Sequence, residues 1–159
     1  MAGGKHKGSQ LAVVGILADG FTDLARALRT IDKAVWRDLR RDLKSAAELV
    51  ADDARSRAGY SSRIPGSITT SVTLTGATIK AGGAAAPHAV VLEVGSSGSA
   101  HGWLRHPVFA RSDEDRSEWT WVDQPTRPFL FPAFEAHQAE VLELVGEAID
   151  RAAHAAGFH

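Results

Sequence analysis

Seven histidines and nineteen acidic side chains are the first place to look for chemistry in this chain. His101 and His106 flank the start of a strand-like run, with Asp113 and Glu114 further on. Metal ligands must converge, and this spacing matches no ligand motif of the His-Glu-x-x-His kind. His88 and His137 read as packed or half-exposed side chains, and His154 and His159 as part of a fraying C-terminus. Glu93 is the one acid in a long stretch of apolar and small residues, which makes it the candidate for a perturbed carboxylate. Two uses are open. It can serve a small hydrolase together with a histidine, or it can be a structural carboxylate held by an arginine or by backbone N–H groups. The structural use is favoured, because buried acids are generally paired. There is no Gly-x-Ser-x-Gly elbow, phosphate loop or dinucleotide fingerprint. No catalytic, cofactor-binding or metal-ligating residue is therefore assigned, and a non-enzymatic role is expected.

The elements that must position these residues begin from an ordinary composition. The chain has 159 residues, 44% hydrophobic and 23% charged, which suits one soluble globular domain. It has no cysteine, so disulfides, thiolate metal sites and cysteine nucleophiles are excluded. The net charge is −1, which disfavours a nucleic-acid binder held by a strong overall positive field. That neutrality is unevenly distributed. Residues 1–60 carry 11 basic and 8 acidic side chains, residues 61–110 carry 3 and 1, and residues 111–159 carry 4 and 10. The first and last helices are thus opposite in sign. They can pack within one subunit, or basic and acidic faces can meet between subunits.

Residues 1–9 read as a polar tail and residues 10–17 as a short buried strand. The apolar run from Leu11 to Ala18, broken by Gly15, is too short to span a bilayer. Lys5-His6-Lys7 precedes it, but no cleavage site follows, so no secretory signal is expected. A helical region runs from about Thr22 to Ala58, with Asp32 able to start a second helix after a kink near Thr30. Its stripe is Leu24, Leu28, Ile31, Val35, Leu39, Leu43, Ala46, Val50 and Ala54. Arg37, Arg40, Arg41 and Lys44 share the other face with Asp38 and Asp42, a solvated face with local ion pairs. Arg63-Ile64-Pro65-Gly66 is a turn signal. Residues 67–74 read as a strand with Ile68, Val72 and Leu74 inward, and Ala77, Ile79 and Ala81 begin the return strand. Residues 84–94 fit a helix or a strand equally. Residues 95–102 are a Ser/Gly loop. Strands at 103–110 and 118–122 flank a charged hairpin tip, and Trp119 and Trp121 share a face. Pro132 sits near the start of a final helix with Phe134, His137, Val141, Val145, Ala148, Ile149 and Ala152 inward, stopped by Gly157.

The expected fold is α+β. An antiparallel sheet packs against a long N-terminal helix and a C-terminal helix, with a protruding β-hairpin arm. The chain is one domain: a tail (1–9), helix and strands (10–94), a loop and hairpin arm (95–124), and a C-terminal helical part (125–159). Aromatic residues favour interface cores. The interface candidates are Trp103, Arg105, His106, Phe109, Trp119, Trp121, Gln124, Phe129 and Phe131. The competing use of Trp103, Trp119 and Trp121 is to cap the monomer's own core.

Several stretches carry a family resemblance. His88-Ala89-Val90-Val91-Leu92-Glu93-Val94-Gly95 resembles the Tyr/His-Ala-x-x-hydrophobic-Glu-hydrophobic-Gly-Thr segment of a phage family. Arg105-His106-Pro107-Val108-Phe109 and Trp121-Val122-Asp123-Gln124 resemble stretches of its actinobacterial-phage branch. Arg127-Pro128-Phe129-Leu130-Phe131-Pro132-Ala133 is similar to the family's lead-in to its last helix. The family is the tail-component group of long-tailed phages and prophages, named after gene product ten of phage HK-ninety-seven. The resemblance spans about residues 20–155 in the order of elements. Ala110 and Ser96 depart from the family's usual Gly and Thr, and the tip at 111–118 is longer than the family's.

The resemblance implies a structural virion protein of the head–tail junction, made in the host cytoplasm. It implies a self-assembled ring, taken as sixfold to match a tail tube, through which genomic DNA passes without specific binding. Its partners would be connector or stopper proteins on one side and tail terminator or tube proteins on the other, with no membrane and no cofactor. Tail completion, terminator and stopper roles stay open within this reading. The alternative from another class is a small DNA-binding module using Lys5–Lys7 and the Arg37–Lys44 patch. On the ring reading, the acidic C-terminal third is expected to line the channel and repel DNA.

Overall fold

The computed structural model describes residues 10–14, 22–23, 25–27, 32–73, 76–95, 102–108 and 120–157. Strand β1 (Gln10–Val14) is followed by helical residues at 22–23 and 25–27 and then by the long helix α1 (Lys33–Arg57). A helical turn α2 (Ile64–Ser67), strands β2 (Thr69–Thr73) and β3 (Gly76–Gly82), and a short helix α3 (Ala89–Val94) come next. Strands β4 (Trp103–Val108) and β5 (Thr120–Pro125) lead into helix α4 (Leu130–Ala155). The architecture is α+β, as the sequence predicts.

Asp32 starts α1 because its carboxylate satisfies two otherwise unpaired N–H groups. It accepts from Ala34 N at 2.7 Å and Val35 N at 3.2 Å, with its own backbone extended. The buried positions of α1 are Leu39, Leu43, Ala46, Ala47, Val50, Ala51 and Ala54. Their three- and four-residue spacing puts them on one broad face, and the alanines allow close packing of the neighbouring backbones. Helix α4 supplies the opposing surface through Leu130, Ala133, Val141, Ala148 and Ala152. Two side-chain contacts define the direction of the pairing. Arg151 meets Asp42 at 3.2 Å and His137 meets Asp53 at 3.4 Å, so the helices run antiparallel. The inner stripe of α4 thus follows the sequence pattern, and Gly157 closes the helix with φ 83°.

Strand order in the sheet is β1-β3-β2, both pairings antiparallel. Ile68, Val72, Ile79 and Ala81 are buried and join the core formed with the helices. The Arg63–Gly66 turn signal becomes the one-turn helix α2, in which Pro65 needs no N–H partner. Residues 89–94 are helical, which settles the ambiguity of that stretch. The strand at 103–110 is seen to Val108. The second strand begins at Thr120 and continues to Pro125, three residues past its expected end.

Helix α1 is tied to the edge strand by polar contacts. Arg55 Nη2 donates to Ile68 O at 3.0 Å and Arg40 Nη2 to Val72 O at 3.3 Å. Covering edge-strand carbonyls in this way blunts an otherwise adhesive edge. Glu48 accepts from the Thr70 hydroxyl and, at 3.0 Å, from Arg55. The Thr70 bond is the main reason the Glu48 carboxyl titrates below its usual range. Partial burial opposes the shift and Arg55 adds to it. A carboxylate with a lowered folded-state pKa stabilises the fold above its unfolded pKa and loses that effect as pH falls. The thermal midpoint of E48Q should therefore lie below wild type near neutral pH, with the gap closing as pH drops below 4.5. A gap that is constant across pH in calorimetry would contradict this linkage.

Candidate interaction surfaces

Glu93 lies on α3 and is 5% exposed. Its Oε2 accepts from Phe129 N at 2.7 Å and Leu130 N at 3.0 Å, and its Oε1 accepts from Phe131 N at 2.7 Å. These are N–H groups that the first turn of α4 cannot satisfy internally. The anionic oxygens also sit at the positive end of the helix dipole. The N-terminal residue of α4 makes no side-chain cap of its own, so a carboxylate from 36 residues earlier supplies it. The structural reading of Glu93 thus describes its geometry, with backbone N–H groups as partners. Both oxygens are engaged, and Glu93 bonds to no histidine among the described residues.

The same short helix holds both roots of the β4–β5 hairpin. Leu92 O accepts from Arg127 N at 2.9 Å, and Gly102 O accepts from Thr126 N at 2.8 Å. Gly95 ends α3 with φ 91°, and a Cβ there would come within 2.6 Å of Trp103 O. Only glycine allows that approach and that backbone conformation together. Tyr60 adds a further anchor. Its hydroxyl donates to Arg127 O at 2.6 Å, and the Arg127 guanidinium lies 5.5 Å from its ring centroid. Partial burial raises the Tyr60 pKa, as does the nearby Glu93 charge, while Arg127 opposes them. The hydroxyl therefore stays a donor at neutral pH.

The described part of the hairpin is exposed along β5 and mixes exposed with half-buried residues along β4. The register pairs Trp103 with Pro125, Arg105 with Asp123 and Pro107 with Trp121 on one face. Leu104, His106 and Val108 pair with Gln124, Val122 and Thr120 on the other. Every residue of β5 is exposed, Trp121 by 52%, and Trp103 is 44% exposed. Val108 and Val122 are exposed on the opposite face. Trp103 and Trp121 therefore do not cap the monomer core. Arg105 lies over the Trp121 ring at 6.0 Å, the outer limit of a cation–π contact. His106 is half-buried, and Gln124 is exposed. Phe109 and Trp119 lie outside the described residues.

Phe131 is 44% exposed and remains available to a partner, but Phe129 is a correction. Its ring is fully buried in the monomer core with Ile64, Ala89 and Leu130, because the Glu93 bond to its N–H draws the segment inward.

Three features were not anticipated from the sequence. The first is the Glu48–Thr70–Arg55 tie, signalled only by Thr70 sharing strand parity with Ile68 and Val72. The second is a 3.3 Å contact between Ser61 Oγ and His88 Nε2. A serine beside an imidazole can be a nucleophile and its base. Here, however, Ser61 Oγ also accepts from Arg63 N and Ile64 N, both at 3.3 Å, which makes it the cap of α2. No carboxylate orients His88 among the described residues. The third is Trp36, which lies beside Arg37, Arg40, Arg41 and Lys44 in an open groove between α1 and β2. Among the described residues no three His, Asp or Glu side chains converge as metal ligands, and no helix is long and apolar enough to cross a membrane.

Comparison of the chain with protein-family models, curated proteins and solved structures returned no match.

Removing the Glu93 carboxylate strands three backbone donors in a buried or half-buried site. E93A should cost about 3 kcal/mol of unfolding free energy, and E93Q, which keeps one acceptor oxygen, clearly less. Urea denaturation checks this order. Equal stability of E93A and wild type would refute the clamp.

Proposed function

We propose that this chain is a structural component of the head–tail junction of a long-tailed phage. It assembles as a closed ring, with the β4–β5 ribbon as an inter-subunit arm. The observation that carries this reading is the ribbon itself. A two-stranded hairpin with apolar side chains on both faces is marginal alone in water. This one is held at its base by backbone hydrogen bonds, and its strand β5 is exposed at every residue. Such a surface suits burial against another protein chain.

The residues that carry the family resemblance support the same reading. They are distributed along the chain at 88–95, 105–109, 121–124 and 127–133. In the fold they supply α3, both strands of the arm and the capped start of α4. On this proposal the ring is sixfold. It sits between connector or stopper proteins and the terminator or tube of the tail, and genomic DNA passes through its lumen. The acidic outer face of α4, with Glu140, Glu143, Glu147 and Asp150 exposed, is the channel-lining candidate.

A second reading, a small DNA-binding module, draws on the cationic groove beside Trp36. It predicts tight, salt-sensitive binding to duplex DNA by the isolated protein.

Sedimentation velocity at micromolar concentration tests the ring. Wild type should sediment as one discrete oligomer that appears annular by electron microscopy. W103A/W121A should sediment as a folded monomer. A monomeric wild type, or an oligomer unaffected by the double substitution, would overturn the assignment.

A further inference from the structure

We propose that the cationic groove between α1 and β2 receives the acidic tip of the hairpin arm from a neighbouring copy of this chain. This inference rests on the ring assembly and names the two surfaces that meet.

The receiving site is an open groove of about 680 Å³. Arg37, Arg40, Arg41 and Lys44 line it on the helix side, with Trp36 at one wall and the edge strand β2 at the other. No carboxylate lines it. All four cations are exposed in the monomer. Arg41 is shared with Asp38 at 3.2 Å and Asp42 at 3.5 Å, and Arg40 is partly used on Val72 O. Arg37 and Lys44 form no salt bridge among the described residues. A concave surface lined by one sign of charge attracts a segment of the opposite sign.

The chain itself carries such a segment. The sequence joining β4 to β5 contains Asp113, Glu114, Asp115 and Glu118. With Arg111 and Arg116 beside them, these four carboxylates leave the segment a net charge of −2, opposite in sign to the groove. Trp36 and Val72 add apolar contact that suits a peptide. A phosphate backbone would gain little from them, and the net charge of −1 works against it.

The placement of the two surfaces supports a contact between copies. The arm root bonds to Tyr60, just past the C-terminal end of α1, while the groove lies along residues 36–44. At about 1.5 Å of rise per residue, those sites are roughly 30 Å apart along the helix. The ribbon strands, six residues each, extend about 20 Å. An arm rooted near one end of α1 and a groove along the other end suit a head-to-tail contact, and such contacts close into rings.

Charge exchange tests the pairing. D113K/E114K/D115K and R37E/K44E should each weaken association at least tenfold in sedimentation experiments at moderate salt. Circular dichroism checks that both remain folded. Combining the two sets should restore association. Unchanged association in either set, or no restoration in the combination, would overturn the proposal. If those variants still assemble while W103A/W121A does not, the ring stands and this pairing falls. If wild type never associates, both fall. If R37E/K44E loses affinity for duplex DNA that wild type binds, with association intact, the groove is a nucleic-acid site and the proposal is overturned.

Discussion

The rest of the structure depends on one buried carboxylate. Glu93 takes three backbone N–H groups at the start of α4, and no other side chain among the described residues caps that end. An isolated acid in this position would be costly, and it is tolerated because both oxygens are hydrogen-bonded and face a helix N-terminus. The bonds also fix the path of the chain. They draw Phe129 into the core and set the direction in which α4 leaves to pack on α1. Because α3 also receives Arg127 N and ends at Gly95 against Trp103, the same small element orients the arm. A change at Glu93 therefore acts on core packing and on arm position together.

This arrangement separates two kinds of surface. The antiparallel α1–α4 pair and the sheet bury an aliphatic core dominated by alanine, valine, leucine and isoleucine, with Phe129 the one fully buried aromatic among the described residues. Trp103 and Trp121 of the hairpin stay outside it. The charges divide in a similar way. Among the described residues the helix interface uses the Arg151–Asp42 ion pair and the His137–Asp53 contact, and Arg37, Arg40, Arg41 and Lys44 of α1 and Glu140, Glu143, Glu147 and Asp150 of α4 are exposed. Arg41, Arg55 and Arg57 are paired within α1, while Arg37 and Lys44 of α1 and Glu143 and Asp150 of α4 form no salt bridge among the described residues. That is the condition under which a neighbouring copy can use them.

Much of this was legible in the sequence, for identifiable reasons. Asp32 stands before an apolar helical stripe, so its capping role could be read locally. Glu93 stood out as a lone acid among apolar residues. Its partners did not, because they are backbone groups of Phe129, Leu130 and Phe131, whose side chains advertise no polar contact. The fate of those two phenylalanines was hidden for the same reason. Phe129 precedes the helix and Phe131 stands in its first turn, where too little of the repeat has run to say that one ring turns inward and the other outward. The stretch before Gly95 was ambiguous because its small and β-branched residues suit helix or strand, and only the Glu93 bonds and the close approach of Trp103 resolve it. Trp36 follows Val35 on the helix, and its place beside the arginines became visible only once β2 formed the other wall.

Hydrogen exchange at the amides of Phe129, Leu130 and Phe131 tests the Glu93 clamp most directly. If the carboxylate locks the root of arm and helix, these amides exchange only through global unfolding, as slowly as the core of α1. In E93Q they should exchange faster while the α1 core stays protected. Rapid exchange at these three amides in the wild-type protein would contradict the account.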